Sequence, residues 1–242
     1  MNNWSIRMSC IYVMWLPFSL YFFAFSVYGS DEEYVWKQVP LYSSEYKPRL
    51  IKEGFQMTHA LAYAPSDPSI VYLCTDTSRV WRSSNGGLDW EQASSGINSN
   101  GCRSLGIDPV NPRRAIAAGF FGVSEKDGST RPWKSQGLYL TENGGDTWIL
   151  VKKANFFRQV SKSPLLAYDS TSIVSDRANV WYAGTYDEGL LKSEDGGLSW
   201  ETVVPDLLKI CDVKEVMSRP GELLIATESG LYKYNKKKIV KI

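Results

Sequence analysis

The chain holds a single histidine, His59, among 242 residues. Zinc and copper sites usually draw on two or more imidazoles, and the common hydrolytic triads turn on one histidine set between a nucleophile and an acid. Metal sites built on several histidines are therefore excluded, and histidine-based triads are set aside with them. Cysteine is equally sparse, with four in the chain, at Cys10, Cys74, Cys102 and Cys211. No Cys-x-x-Cys occurs, so neither a zinc knuckle nor a haem attachment is supported. Neither sign of charge dominates. The 27 Lys and Arg face 26 Asp and Glu, for a net charge of +1, so no nucleic-acid or acidic-partner reading follows. Nothing in the sequence asks for a metal or a cofactor.

Aromatic residues are plentiful instead, at 13% with nine Trp and fourteen Tyr. That richness suits a sheet protein, and secondarily a sugar-binding surface. The N-terminus reads differently from the rest. Arg7 precedes an apolar run from Met8 to Tyr28, and Val27-Tyr28-Gly29 supplies the modest residues a signal peptidase reads. Residues 1–29 are expected to be a signal peptide cut after Gly29. Pro17 in the middle of the run favours that over an uncleaved membrane anchor, which is the alternative. The destination is then secreted, periplasmic or otherwise extracytoplasmic. Cys74, Cys102 and Cys211 stay in the mature chain, and an odd count leaves at least one outside any intramolecular pair.

One stretch organises the rest of the chain. Ser83-Ser84-Asn85-Gly86-Gly87-Leu88-Asp89-Trp90 returns as Thr141-Glu142-Asn143-Gly144-Gly145-Asp146-Thr147-Trp148 and again as Ser193-Glu194-Asp195-Gly196-Gly197-Leu198-Ser199-Trp200. The shared pattern is Ser/Thr-x-Asp/Asn-x-Gly-x-x-Trp, at a period of roughly fifty residues, which marks blades or solenoid units. Asn or Asp at the third place can accept from its own backbone two residues on, and glycine supplies positive φ. The Trp is expected to start the returning strand and pack over the turn. Short apolar strands lead into each copy. Ala60–Ala64, Ile70–Cys74 and Val80–Ser83 precede the first; Arg103–Ile107 and Ala115–Gly119 the second; Leu165–Tyr168 and Val180–Gly184 the third. A fourth repeat runs through Cys211–Met217, Leu223–Ala226, Gly230–Tyr234 and Ile239–Ile242, with Asn235-Lys236-Lys237-Lys238 in place of the turn pattern. With no glycine after Asn235, that turn is expected to be less rigid. Each repeat reads as four antiparallel strands, a to d, so the fold class is all-β.

The eight-residue pattern resembles the Asp-box (BNR) repeat, shared by sialidases, xyloglucanase-type glycoside hydrolases, sortilin-type receptors and photosystem II assembly propellers. The resemblance covers 57–242 and implies a β-propeller of four-stranded blades. It selects no function, since those relatives include enzymes, receptors and assembly factors. Ser83, Asn85, Gly87 and Trp90, Thr141, Asn143, Gly145 and Trp148, and Ser193, Asp195, Gly197 and Trp200 are then structural. About four to five blades are present, fewer than such propellers normally hold. A small ring, a partial propeller and a ring completed by several chains all remain open, with the partial propeller preferred. Within 30–56, Tyr34–Val39 echoes Trp200–Val204 and is expected to be a lone outer strand.

Antiparallel order puts the repeated c–d turns at one end of each blade and the b–c loops at the other. The b–c loops are Thr75–Arg79, 122–136, Tyr186-Asp187-Glu188 and Glu228-Ser229. The second is the longest, with Glu125, Lys126, Asp127, Arg131, Trp133 and Lys134. A charged loop with an aromatic plane on a rigid sheet is suited to recognition. Arg79, Arg131, Trp133 and Tyr186 are the ligand-binding candidates. Val71–Asp76 is similar to the stretch of xyloglucanase-type hydrolases in which a strand ends in Thr-Asp, and the resemblance implies a catalytic role for Asp76. The family's glycines after that Asp are absent here, and so is the second propeller that carries its partner. Asp187 or Glu188 would have to be the second carboxyl group, since glycoside hydrolysis needs two. The preferred expectation is a non-catalytic module that binds a glycan or protein. The alternative is a xyloglucanase-like glycosidase, or a remnant of one, acting on β-glucan. No nucleic-acid partner is expected, nor a membrane beyond an uncleaved anchor; an oligomer is expected if the ring is incomplete.

Overall fold

Ala60, Ala62, Ala64, Ile70, Tyr72 and Cys74 fall on alternate positions of two neighbouring strands and therefore share one face of a sheet. That face is small and apolar enough to be covered by another sheet, and the pattern recurs down the chain. In the computed structural model the described residues are 57–123, 130–131, 137–156 and 165–242, all within the unit Val39–Ile242. The unit Met1–Gln38, the signal peptide expected at 1–29 and the strand expected at Tyr34–Val39 lie outside them.

The first blade runs β1 (Thr58–Ala64), β2 (Asp67–Thr75), β3 (Val80–Ser83) and β4 (Glu91–Gln92), hydrogen-bonded in chain order. The second has β5 (Ser99–Ile107), β6 (Ala115–Val123), β7 (Thr130–Arg131), β8 (Gly137–Thr141) and β9 (Ile149–Lys152). Its order is β5-β6-β8-β9, with β7 paired to the end of β6. The third has β10 (Leu166–Tyr168), β11 (Ile173–Val174), β12 (Arg177–Ala178), β13 (Trp181–Gly184), β14 (Leu190–Ser193) and β15 (Glu201–Val204). Its blade is β10-β13-β14-β15, while β11 and β12 form a separate small hairpin. The fourth is β16 (Ile210–Glu215), β17 (Leu223–Thr227), β18 (Gly230–Tyr234) and β19 (Ile239–Lys241), again in order. All pairings are antiparallel. These are four blades of a β-propeller, and the β11–β12 hairpin, which the sequence pattern did not announce, is an insertion in the a–b connection of blade three.

Each pair of neighbouring blades encloses its own core. Tyr72 and Cys74 of the first meet Leu105, Ile107, Ala115 and Ala117 of the second. Ile116, Ala118, Leu138 and Leu140 of the second meet Leu166, Trp181, Ala183 and Leu191 of the third. Tyr182 and Leu190 of the third meet Val213, Leu223 and Ile225 of the fourth. Cys74 and Cys102 form a disulfide across the first of these seams, with Cα atoms 5.0 Å apart and a sequence separation of 28. Closing a loop of that size in the unfolded chain is worth about 3–4 kcal/mol on the chain-entropy account. Cys211 stands outside the pair, its Sγ 3.3 Å from the Lys209 carbonyl oxygen.

The repeated turn is built the same way three times. Ser83 Oγ donates to Asn85 Oδ1 at 2.9 Å and accepts from Gly87 N at 2.8 Å, while Asn85 Oδ1 accepts from Asp89 N at 2.9 Å. Thr141 and Asn143, and Ser193 and Asp195, repeat these bonds. Both glycines of each copy sit at positive φ, from 71° to 93°, where a side chain would be strained. Burial raises the Asp195 carboxyl, but hydrogen bonds from Ser199, Ser193 and Leu198 outweigh it and hold the group below the usual carboxylate range. Each Trp precedes the returning strand by one residue instead of opening it. Trp90 and Trp200 donate Nε1–H to Gly87 and Gly197 of their own turns. Trp148 instead reaches back to Ala93 of the preceding blade at 2.8 Å and is 3% exposed.

Further ties cross the seams. Arg82 Nη1 donates to the Gly144 carbonyl at 2.6 Å and lies 3.0 Å from Asp146. Arg114, 3% exposed, donates to the Gly196 carbonyl and faces Asp108, itself fully buried, at 3.7 Å. Asp108 also accepts from Val110 N, Asn111 N and, across the seam, Ala178 N. The fourth turn, which lacks the glycines, is closed by other bonds. Asn235 N bonds Lys238 O at 3.2 Å, and Asn235 Oδ1 accepts from Lys238 N at 2.9 Å. Lys236 takes the left-handed place at φ 69°, and its ammonium lies 2.5 Å from Asp169 of blade three.

Candidate functional site

The loops at the end away from the repeated turns share a design that the eight-residue pattern does not reveal. In three blades a threonine at the end of strand b, or just after it in blade three, closes the b–c loop with its hydroxyl. Thr75 Oγ1 donates to the Arg79 carbonyl at 3.2 Å and accepts from Ser78 N at 3.0 Å. Thr185 does the same with Gly189 O at 2.7 Å and Glu188 N at 3.0 Å. Thr227 does so with Gly230 O and Ser229 N, both at 3.1 Å. The closing residue has positive φ each time, at 61° for Arg79, 82° for Gly189 and 134° for Gly230. The signal was present as Thr-x-x-x-Gly and Thr-x-x-Gly, and Arg79 masked it in the first blade.

The candidate acids fall on these loops in different environments. Asp76 follows Thr75 directly and is 3% exposed. Its amide donates to Met57 O at 3.1 Å, and Oδ1 accepts from Thr77 Oγ1 at 3.4 Å. Strand β5 passes so close to its backbone that a Cβ at Gly101 would collide with the Asp76 carbonyl and the Phe120 ring. Asp187 is exposed and accepts from Asn155 Nδ2 at 3.0 Å. Glu188 pairs with Lys152 at 3.1 Å. Asp187 and Glu188 therefore hold blade three to the edge of blade two, while Asp76 is enclosed in blade one, with blade two between them in sequence order.

The binding candidates divide similarly. Arg79 turns inward enough for Nε to donate to Ser99 O at 2.8 Å across the seam. Tyr186 is half-buried, and its backbone links both neighbours: its amide donates to Asn155 O at 2.9 Å and its carbonyl accepts from Lys209 N at 2.7 Å. Ile210 N to Thr185 O and Glu228 N to Lys209 O carry the same row into blade four. Arg131 lies in β7, opposite Gly122. Trp133, with Glu125, Lys126, Asp127 and Lys134, lies outside the described residues. Among the described residues no cluster of three His, Cys, Asp or Glu could hold a metal ion.

No protein-family model matches the chain, and no curated protein matches its sequence. Solved structures do. The GH74 enzyme of Niastella koreensis is similar over 77% of this chain and 30% of its own, at 18% identity and a TM-score of 0.56. The GH74 xyloglucanase from Xanthomonas campestris is similar over 78% of this chain and 31% of its own, at 17% identity and the same TM-score. An ancestral GH74 enzyme covers 76% of this chain with 25% of its own, at 19% identity and a TM-score of 0.52. The chain thus spans under a third of the length of each. Likeness at this level of identity carries the fold alone, that of a β-propeller made of four-stranded antiparallel blades.

Proposed function

We propose that this chain is an exported propeller of Asp-box type that binds a glycan or a protein through its b–c loop face without cleaving it. The observation that carries this reading is the state of the three carboxylates. A glycosidase needs two carboxyl groups facing one bond, about 5 Å apart for retention or 6.5–9.5 Å for inversion. Here Asp76 is closed off, and Asp187 and Glu188 are committed to Asn155 and Lys152. The backbone bonds that run from Asn155 through Tyr186 and Lys209 to Glu228 make the face a fixed platform, which suits recognition because little ordering is lost on binding. Export is supported by the Cys74–Cys102 disulfide, a bond that persists in oxidising compartments.

The test is incubation of the purified protein with xyloglucan and other β-glucans, following new reducing ends alongside binding. Retention of a glycan without new ends, weakened by Tyr186→Ala or Trp133→Ala, is the expected result; a protein ligand would appear as binding of a protein with the same sensitivity. Turnover that is lost in Asp76→Asn and kept in Asp195→Asn would replace this reading with the xyloglucanase-like one.

A further inference from the structure

The dipeptide Asn-Gly occurs three times, at Asn85-Gly86, Asn100-Gly101 and Asn143-Gly144. It is the setting in which a carboxamide is least durable, because glycine has no side chain to hinder its own amide nitrogen from reaching the preceding side-chain carbon. The fold places the three copies in different surroundings.

Gly101 is buried in β5, paired with Phe120, and packed so tightly on Asp76 that a Cβ would collide with its carbonyl. Gly144 is buried as well. Its amide donates to Arg113 O at 2.7 Å, its carbonyl accepts from Arg82 at 2.6 Å, and the Asn143 carbonyl accepts from Arg113 Nη2 at 3.4 Å. Ring closure there must first break ties to another blade. Ser84, Asn85 and Gly86 are exposed. The Gly86 amide is held only by Ser69 O of its own blade, at 2.8 Å, and a Cβ on Gly86 would meet nothing within 4 Å among the described residues. Opening of this one turn frees the nitrogen directly into water.

The first turn is also the one that cannot accept the product. Asn85 Nδ2 donates to the Asp89 carboxylate at 2.9 Å. The equivalent of Asp89 is Thr147 in the second turn and Ser199 in the third, and both carry a hydroxyl. The third turn already holds a carboxylate, Asp195, because Ser199 Oγ donates to it at 2.6 Å. A carboxylate at position 85 would face Asp89 with no proton between them, and like charges at that range repel.

We propose that Asn85 is a site of spontaneous deamidation whose product, set against Asp89, unlatches the first turn. The Gly86 nitrogen gives up its proton to water and bonds to the Asn85 side-chain carbonyl carbon. The Nδ2 group leaves as ammonia. Water then opens the succinimide at either carbonyl, leaving aspartate or isoaspartate at position 85. Isoaspartate also lengthens the main chain by one carbon, inside a turn whose glycines are held at φ 71° and 92°. Strand β4 returns from this turn, and Ala93 just beyond it accepts from Trp148 Nε1, so the change loosens the seam between blades one and two.

The test is storage of the folded full chain in mildly alkaline buffer, with site-resolved peptide mapping for aspartate and isoaspartate. Conversion at Asn85 is expected to run at least about tenfold faster than at Asn143 or Asn100, as the difference in opening requires. Conversion at Asn85 no faster than at Asn143 overturns the proposal. The consequence is tested by thermal melts of Asn85→Asp and of Asn85→Asp with Asp89→Ser, which rebuilds the chemistry of the third turn. The single variant should melt lower than the parent, and the double variant should recover most of the loss. A double variant that melts no higher than the single one overturns the assigned conflict with Asp89.

Discussion

Arg82 and Gly144 are 62 residues apart in sequence and 2.6 Å apart across a seam, guanidinium to carbonyl. The bond ties the strand entering one repeated turn to the next turn along, so each turn closes its own hairpin and also receives its neighbour. Removal of the charged group should therefore be felt in proportion to its burial. Arg82 is partly exposed and its other partners, Glu91 and Asp146, are exposed carboxylates, so Arg82→Ala should cost about 1 kcal/mol. Arg114 is buried against the enclosed Asp108. Arg114→Met takes the cation from that buried carboxylate, leaving it to backbone amides alone, and should cost about 3–5 kcal/mol. Urea unfolding of the two variants gives the comparison; equal losses would show that the buried pair has no special standing.

The three tryptophans of the repeated turn should not be equivalent. Trp148→Ala removes a ring that is 3% exposed and bonded to the preceding blade, and should destabilise by about 3–5 kcal/mol. Trp90→Ala and Trp200→Ala, with rings half-exposed over their own turns, should each lose less. Thermal melts of the three variants rank them.

Arg79 and Gly189 close equivalent loops, but only one is a glycine. Arg79→Gly relieves a left-handed arginine, worth about 1–2 kcal/mol, and loses the Nε bond to Ser99, worth about 1 kcal/mol. The sum should lie near neutral. Gly189→Ala should cost about 2–3 kcal/mol, since its φ is 82° and the new Cβ runs into the Val204 carbonyl. Chemical denaturation of both distinguishes them, and a large loss in Arg79→Gly would mean that the bond to Ser99 dominates.

Asp169 links blades three and four through Lys236. Burial raises its carboxyl, yet the bonds from Lys236 and Thr171 prevail and the group titrates below its ordinary 3.8. A carboxyl depressed in the folded chain contributes stability above its unfolded value and loses it as pH falls through the folded one. Melting temperature should drop below about pH 4 in the wild type, and the drop should be shallower in Asp169→Asn. Parallel curves for the two proteins would remove Asp169 from the acid response.

The strands and the repeated turn were legible because they depend on short-range chemistry: alternation along β1 and β2, and Asn or Asp set against glycine at fixed spacing. The sequence placed b–c loops in blades one, three and four where the strands leave them, while most of 122–136 lies outside the described residues; their threonine closure was hidden by Arg79, a residue that pattern alone does not place at positive φ. The seam bonds of Arg82, Arg114 and Lys236 join residues from different repeats, and no local window contains both partners. The same limit governed the site. Asp76 carried a family resemblance in its neighbours Val71–Thr75, whereas its enclosure depends on β5 and Gly101, a strand away. Asn155 and Lys152, which occupy Asp187 and Glu188, were singled out by no motif.

The Cys74–Cys102 bond gives the chain a mechanical order. In a row of blades each stabilised by its neighbours, fraying from an end is the ordinary route of opening. The crosslink couples β2 to β5 covalently, so blades one and two must open as a single cooperative block while blade four can peel from blade three alone. Amide exchange in Leu223–Thr227 should then outrun that in Asp67–Thr75, and reduction should bring the two together. Under tension the oxidised chain should extend by single blades from its C-terminal side before the crosslinked block yields.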